Sequence, residues 1–314
     1  MVSVGQIMRP KLLAAGYKDS FSMALIINAS DIAYLIPPSI AMILYGTLAN
    51  TSVGELFIAG IVPGVLLALL FSVYSYIYSI KYADEIQLTE RSSWKERLAA
   101  FKSSLLGLGF PMLIIGGIYS GIVTPTEAAS FAVLYAIFAE CIFTRHLSAQ
   151  DLWDSAVSTG LITAVVFILV GIGQAFSWYI SFEQIPQGLL EPLSLEHASP
   201  EFILFVIAIT FFIGCMFVDS LVVLLILTPI FVPIVDAANV NPVLVGVMVT
   251  LQMAIGSATP PFGCDIFTAI AIFERPYLEV IKGTLPFILL LFVMTALLIF
   301  VPDIALFLPS LALN

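Results

Sequence analysis

Two pairs of adjacent prolines interrupt long apolar stretches of the sequence. The pair Pro37-Pro38 lies within residues 21–48, and the pair Pro260-Pro261 lies in a similar stretch near the end of the chain. Each proline lacks a backbone N–H and clashes with the preceding turn, so an α-helix cannot continue unchanged through either pair. At membrane depth, unpaired backbone groups are tolerated only inside protein or beside a water-filled cavity. The two breaks therefore predict sites where backbone carbonyls and helix ends bind an ion or a substrate.

Polar side chains near the second break add to this chemistry. Thr259 offers a hydroxyl oxygen, and hard cations such as sodium prefer several oxygen ligands. Asp219 and Asp265 are acids within apolar segments, where ionisable residues are commonly functional. A structural role is the alternative for both acids, because either can be paired within the protein and Asp219 can cap the helix that follows it.

The composition places these residues in an all-α polytopic membrane protein. Hydrophobic residues make up 61% of the chain, charged residues make up 10%, and the mean hydropathy is +1.10. Soluble domains carry about 25% charged residues. The net charge of −10, without a basic patch, argues against nucleic-acid binding. The cysteines lack metal-site spacing, and neither an HExxH nor a GxSxG motif occurs, so an intramembrane enzyme is disfavoured.

The apolar stretches predict the order of the elements within a single permease domain, residues 1–314. In chain order, the predicted regions are a first broken helix with the following span (19–80), a cytoplasmic loop (81–102), central spans (103–200), a re-entrant hairpin (201–236), and a second broken helix with the last span (243–301). All eleven Lys and Arg residues fall on one side of this layout, as the positive-inside rule requires.

The hairpin is predicted from the length of its apolar segment. As one helix, residues 201–236 would extend about 54 Å, whereas the hydrocarbon core is only about 30 Å thick. Two full crossings need about 20 residues each, which leaves no room for a loop. We therefore predict a hairpin with its tip at residues 215–220, and we expect Gly256 to let this tip pack closely against the second break.

A helix start is predicted at Thr124-Pro125-Thr126-Glu127. Thr124 suits the N-cap, Pro125 suits the first helical position, and Glu127 can close a capping box. Glu127 is therefore interpreted as a capping residue, with a role in a transport path as the alternative.

Three motifs resemble one known family over essentially the whole chain. They are the run Gly116–Ala129 (GGIYSGIVTPTEAA), residues 36–40 with Tyr45-Gly46 around the first break, and residues 255–256 and 259–263 with Phe267 around the second. Gly16-Tyr17, after a proline and basic residues, also matches. The motifs resemble the large membrane (permease) subunit of tripartite ATP-independent periplasmic (TRAP) transporters.

This resemblance implies a sodium-driven importer of a small organic acid in the bacterial inner membrane. Family members are elevator-type transporters with inverted repeats, and they work with a small membrane subunit and a periplasmic substrate-binding protein. Sodium is the coupling ion, and no other cofactor is expected. By resemblance, one sodium site would use Gly214, Gly256, Thr259 and Phe262, and the other would use Ala33, Ile36 and Pro38. Substrate binding or coupling is assigned to polar residues at the breaks and the tip, namely Ser30, Asp31, Ser39, Asp219, Ser220 and Asp265.

Several residues depart from the family pattern. Asp31 stands where threonine is usual, Ala33 stands where glycine is usual, and Asp265 stands where asparagine is usual. The first hairpin of the family should precede residue 10, so residues 1–18 are interpreted as the remnant of that hairpin and the chain as lacking its N-terminal helices. Two alternatives stay open: a remnant that does not transport, and an ion-coupled carboxylate symporter that needs no binding protein.

Overall fold

A computed structural model describes residues 1–83, 86, 92–144, 148–183 and 199–312. These residues are organised as helices joined by short connections. In chain order, the α-helices are α1 (Val2–Ala14), α2 (Asp19–Asp31), α3 (Ile40–Leu48), α4 (Val53–Lys81), α5 (Trp94–Tyr119), α6 (Pro125–Phe138), α7 (Ala149–Phe182), α8 (Pro200–Phe217), α9 (Ser220–Ala237), α10 (Pro242–Ala258), α11 (Cys264–Phe273), α12 (Tyr277–Ile281), α13 (Leu285–Phe300) and α14 (Asp303–Ala312). A 3-10 turn at Ile32–Tyr34 follows α2, and a π-helical turn at Ala139–Thr144 follows α6.

The helices confirm the class of a polytopic all-α membrane protein. Within the described residues, six helices are long and apolar enough to cross a membrane, or seven if the bent pair α13 and α14 counts as one span. The six are α4, α5, α6 with the start of its π-helical turn, α7, α8 and α9.

The chain divides into two compact units. One unit contains residues 1–88 and 173–314, and the other contains residues 89–172. The single permease domain of residues 1–314 stays a prediction.

Helix α10 forms the centre of the first unit. Every residue from Val243 to Ala258 is buried, as expected for a helix that is apolar on all sides. The amide of Gln252, which is 1% exposed, donates a hydrogen bond of 2.9 Å to the hydroxyl of Thr295 on α13. This bond satisfies a buried polar group within an otherwise apolar interface.

Both predicted breaks are present. The helical path of α2 ends at the 3-10 turn, and α3 begins only at Ile40. Helix α10 ends at Ala258, and α11 begins at Cys264. The Pro37–Pro38 and Pro260–Pro261 peptide bonds are both cis.

Helices α8 and α9 fold back on each other around Val218 and Asp219, within the predicted tip. Gly214 on α8 lies opposite Val223 on α9, and the rings of Phe211 and Phe231 are 5.9 Å apart. Each helix has 18 residues and is about 27 Å long. A helix of that length can nearly span the hydrocarbon core. The length of the segment therefore does not exclude two crossings, and the re-entrant hairpin stays a prediction.

The predicted loop at residues 81–102 is shorter than expected. Residues 84–85 and 87–91 of this loop lie outside the described residues, and so do residues 145–147 and 184–198 of the predicted central spans. Within the described part, α5 already begins at Trp94, because Ser93 and Glu96 form a reciprocal capping box. The high charge of the segment concealed this helix start.

The second unit contains the predicted helix start at Thr124. The Thr124 hydroxyl oxygen accepts a hydrogen bond from the Glu127 backbone N–H, and the Glu127 carboxylate accepts one of 2.8 Å from the Thr124 backbone N–H. The capping box and the position of Pro125 are therefore confirmed. The Tyr135 hydroxyl donates a 2.7 Å bond to the carbonyl of Leu106, which ties α6 to α5.

Candidate functional site

The first break is docked on α4. The carbonyl oxygen of Leu35 packs against Gly60, where a Cβ atom would collide with it, and a Cβ atom at Gly64 would lie 2.8 Å from the side chain of Ile36. Ser39 caps the start of α3 by accepting a hydrogen bond of 3.4 Å from the backbone N–H of Met42. The break is thus a defined structure in which a small-residue face of α4 supports the unwound backbone.

A cavity of about 310 Å³ opens beside this break. Its lining includes Ser30, Ala33, Tyr34, Pro38 and Ser39, together with Leu221 from the start of α9. Ala33 and Pro38, assigned to a sodium site, therefore border the cavity, whereas Ile36 from the same set packs toward α4. Ser30 and Ser39, assigned to substrate binding, also border it, and the Ser30 hydroxyl donates a 2.6 Å bond to the carbonyl of Ile27.

Several backbone carbonyl oxygens lie close together at the second break. A Cβ atom at Gly263 would lie 2.8 Å from the carbonyl oxygen of Thr259 and closer still to that of Ser257, so both carbonyls converge on this glycine. The Thr259 hydroxyl donates a 2.5 Å hydrogen bond to the carbonyl of Ile255. Its oxygen keeps lone pairs that can bind a cation.

The hairpin tip packs directly on this break. A Cβ atom at Gly256 would lie 2.8 Å from the carbonyl carbon of Cys215 and 3.1 Å from its Cα atom, which confirms that Gly256 lets the tip approach closely. The Ser220 hydroxyl donates a 3.4 Å bond to the carbonyl of Met253 on α10. The ring of Phe262 lies 6.0 Å from that of Phe217.

The structure therefore gathers the residues assigned to the second sodium site. Gly256, Thr259 and Phe262 belong to the break, and Gly214 lies on the last turn of α8, one residue before Cys215. The Gly214 carbonyl accepts a hydrogen bond of 2.9 Å from the Val218 N–H, which closes the end of α8. Ion binding by these residues stays a prediction.

Three acids from different elements act electrostatically on Tyr34. Asp31 ends α2, Asp219 lies in the tip, and Asp265 is in the first turn of α11. All three act electrostatically on the Tyr34 hydroxyl, and Tyr34 also borders the cavity. The sequence predicts each acid separately and gives no indication that all three act on one tyrosine.

Asp31 is the least solvated of the three acids. It is 1% exposed, and neither of its carboxylate oxygens has a hydrogen-bond partner. Asp265, which is partly exposed, is the charged side chain that acts on it most strongly, and the α-amino group of Met1 acts in the opposite direction and more weakly.

Asp219 has the structural role that the sequence left open. Its carboxylate accepts hydrogen bonds of 3.0 Å and 3.4 Å from the backbone N–H groups of Leu221 and Val222, so it caps α9. A second role in coupling stays a prediction. Within the described residues, no group of three or more His, Cys, Asp and Glu side chains is placed to hold a metal ion in the usual protein manner.

Comparison with known proteins places this geometry in a family. The profile described as "Tripartite ATP-independent periplasmic transporter, DctM component" matches residues 1–304. The chain belongs to the large permease subunits of TRAP transporters.

Individual relatives agree with this assignment. The chain is 57% identical over its whole length to the ectoine/5-hydroxyectoine TRAP transporter large permease protein UehC of Ruegeria pomeroyi, of which it covers 73%. It is 58% identical, over 99% of its length, to the ectoine TRAP transporter large permease protein TeaC of Halomonas elongata, again covering 73% of that protein. The C4-dicarboxylate TRAP transporter large permease protein DctM of Pseudomonas aeruginosa is 33% identical over 99% of this chain, which covers 72% of it.

The family membership confirms three predictions. The resemblance of the sequence motifs to the TRAP large permease is correct. The relatives are transporter permeases, so the chain is not an enzyme. Together with the apolar helices, the relatives identify this TRAP permease as a multi-pass protein of the inner membrane.

Proposed function

We propose that this permease drives the sodium-coupled import of a small solute that carries a carboxylate. It would act with a small membrane subunit and a periplasmic substrate-binding protein, as TRAP large permeases do. The observation that supports this proposal best is the convergence of the hairpin tip, the second break and the cavity beside the first break in one part of a TRAP permease.

Sodium as the coupling ion is supported by the oxygens at the second break. The carbonyls of Ser257 and Thr259 converge where the helix is unwound, and the Thr259 hydroxyl lies in the same turn. Hard cations bind several oxygen ligands, and unwound backbone carbonyls coordinate sodium in transporters. Because the tip packs on Gly256, an ion bound at the break would also hold the tip in place, which would couple ion occupancy to the access of the solute.

The proposed transport step is an elevator movement. The domain that carries the hairpin and both breaks would slide against a scaffold after sodium and solute have bound. Closure of the tip on the loaded site would be the event that permits this movement, because a ligand shifts a conformational equilibrium only through its different affinity for the two states.

The carboxylate in the solute is supported by the family and by helix ends near the site. The relatives carry the names ectoine, 5-hydroxyectoine and C4-dicarboxylate transporters, and each of these solutes has at least one carboxylate. The start of α3, at Ser39, borders the cavity, and a helix N-terminus favours a negative group. The high identity to the two ectoine transporters makes ectoine the first solute to test.

The test is the thermal stability of the purified permease in sodium or in potassium at equal ionic strength. A ligand that binds only the folded state stabilises it by about 2.7 kcal/mol at a hundredfold excess over Kd. We expect a sodium-specific rise in Tm that is lost in Thr259→Ala and retained in Thr259→Ser, since serine keeps the hydroxyl. Equal Tm values in the two ions, or a full sodium response in Thr259→Ala, would count against this site.

A further inference from the structure

We propose that Asp31 and Asp265 together receive a positively charged N–H group of the transported solute. The solute would then be a zwitterion or a cation, and a dianion would be excluded from this subsite. This inference rests on the proposed transport function and specifies its substrate class.

Asp31 is a buried acid without a hydrogen-bond partner. Its side chain is 1% exposed, and both carboxylate oxygens lie in the protein interior without a hydrogen-bond donor. A buried carboxylate without a partner is costly, and a nearby second carboxylate increases that cost. Asp265 is that second carboxylate, and a positively charged partner would relieve the cost for both acids.

Within the described residues, no Lys or Arg side chain forms an ion pair with Asp31 or Asp265. The Lys and Arg residues lie only in segments 9–18, 81–102 and 275–282 and at position 145, none of which contains either acid. A positively charged group of the solute would supply the compensating charge.

A solute would approach the two acids from the side of Asp265 and the cavity beside the first break. Asp265 is partly exposed, and Tyr34, on which both acids act electrostatically, borders the cavity of about 310 Å³ beside the first break. Ligand sites of about 300 Å³ and above accommodate small organic molecules. A solute held in this cavity by its apolar body could present an N–H group to Asp265 and Asp31.

The planar geometry of a carboxylate favours a planar N–H donor. A carboxylate accepts hydrogen bonds in a plane, and planar N–H donors such as amidinium groups form strong charge-assisted pairs with it. Ectoine is a suitable probe, because its ring amidinium carries two N–H groups. Succinate is the contrasting probe, because it has two negative charges and no N–H group.

The experiment measures ectoine and succinate binding by titration calorimetry on the purified permease in sodium, with the sodium-dependent Tm recorded on the same samples. The variants are Asp31→Asn and Asp265→Asn, and the matched control is Asp236→Asn, an exposed acid at the other end of α9. We expect the wild type to prefer ectoine. Each site variant should weaken ectoine binding about tenfold or more, as expected for loss of a hydrogen bond to a charged group. The control should not.

Two patterns of results would overturn the inference. Unchanged ectoine affinity in both site variants, or tighter binding of succinate than of ectoine by the wild type, would show that the pair does not receive a cation of the solute. Loss of the sodium response with unchanged ectoine binding would make the pair an ion site instead. Should Asp31→Asn fail to fold, the partly exposed Asp265 makes Asp265→Asn decisive.

The same data separate this inference from the proposed function. A wild-type permease with a sodium-specific rise in Tm but without ectoine binding would refute only the assignment of the acid pair. A wild type that responds to neither sodium nor ectoine would refute both proposals.

Discussion

The substitution Gly256→Ala tests how the hairpin tip is held against the second break. The added methyl group would lie 2.8 Å from the carbonyl carbon of Cys215 and 3.1 Å from its Cα atom. These are backbone atoms, so a change of rotamer cannot relieve the contact and the tip must move away from α10. Insertion of a methyl group into a packed interior costs about 1–3 kcal/mol.

This cost predicts two measurable effects. The permease should unfold at a lower temperature, and sodium should bind more weakly, because the ion site requires the tip and the break to be in contact. If the whole strain is released when the tip leaves α10, the half-saturating sodium concentration rises by about 5- to 150-fold. A sodium titration of Tm on the purified variant measures both quantities.

The matched control is Gly107→Ala. Gly107 lies within α5, and a Cβ atom there would meet nothing within 4 Å. This substitution should be neutral or stabilising by up to about 1 kcal/mol, from helix propensity alone. The reasoning would be refuted if Gly256→Ala matched Gly107→Ala in both Tm and sodium response.

Two further predictions concern buried and charged contacts. Thr295→Val leaves the buried amide of Gln252 without its hydroxyl partner and should lower the free energy of unfolding by about 1–3 kcal/mol, measured by thermal unfolding. Adding Gln252→Leu should restore much of this loss, because the unpaired amide is then removed. No recovery in the double variant would contradict this account. Asp19, which lies at the start of α2 and before the apolar stretch 21–48, accepts two 2.7 Å hydrogen bonds from Arg9, and these bonds lower the pKa of Asp19 below its ordinary value of 3.8. The resulting stabilisation is complete above the ordinary pKa and is lost as pH falls through the folded-state pKa. The Tm difference between wild type and Asp19→Asn should therefore be constant near neutral pH and should shrink below about pH 4. A Tm difference that widens in acid would contradict this account.

The sequence predicts the elements of the site because their signals are local. Adjacent prolines end a helix wherever they occur, so both breaks could be located from residue type alone. The capping box at Thr124 is equally local, and the structure contains it. The close packing at Gly256 could be predicted because a glycine beside a break suggests a near approach of another backbone.

Other features depend on residues that are distant in the sequence. Asp31 and Asp265 each depart from the family pattern, but their mutual electrostatic effect follows from the packing of α2 and α11 and could not be predicted. The start of α5 at Trp94 differs from the predicted loop, because the charged residues around it are typical of a loop and only the Ser93–Glu96 capping box indicates a helix. Helices α8 and α9 have 18 residues each, so the length of residues 201–236 does not decide between a re-entrant hairpin and two crossings.

The most direct test of the account is solute uptake into proteoliposomes. The permease is reconstituted with its small subunit and binding protein, and the uptake of labelled ectoine is compared under inward sodium and inward potassium gradients of equal size. The account predicts accumulation that requires the sodium gradient and is strongly reduced in Thr259→Ala. Equal uptake under the potassium gradient would contradict sodium coupling, and with it the role proposed for the junction of tip and break.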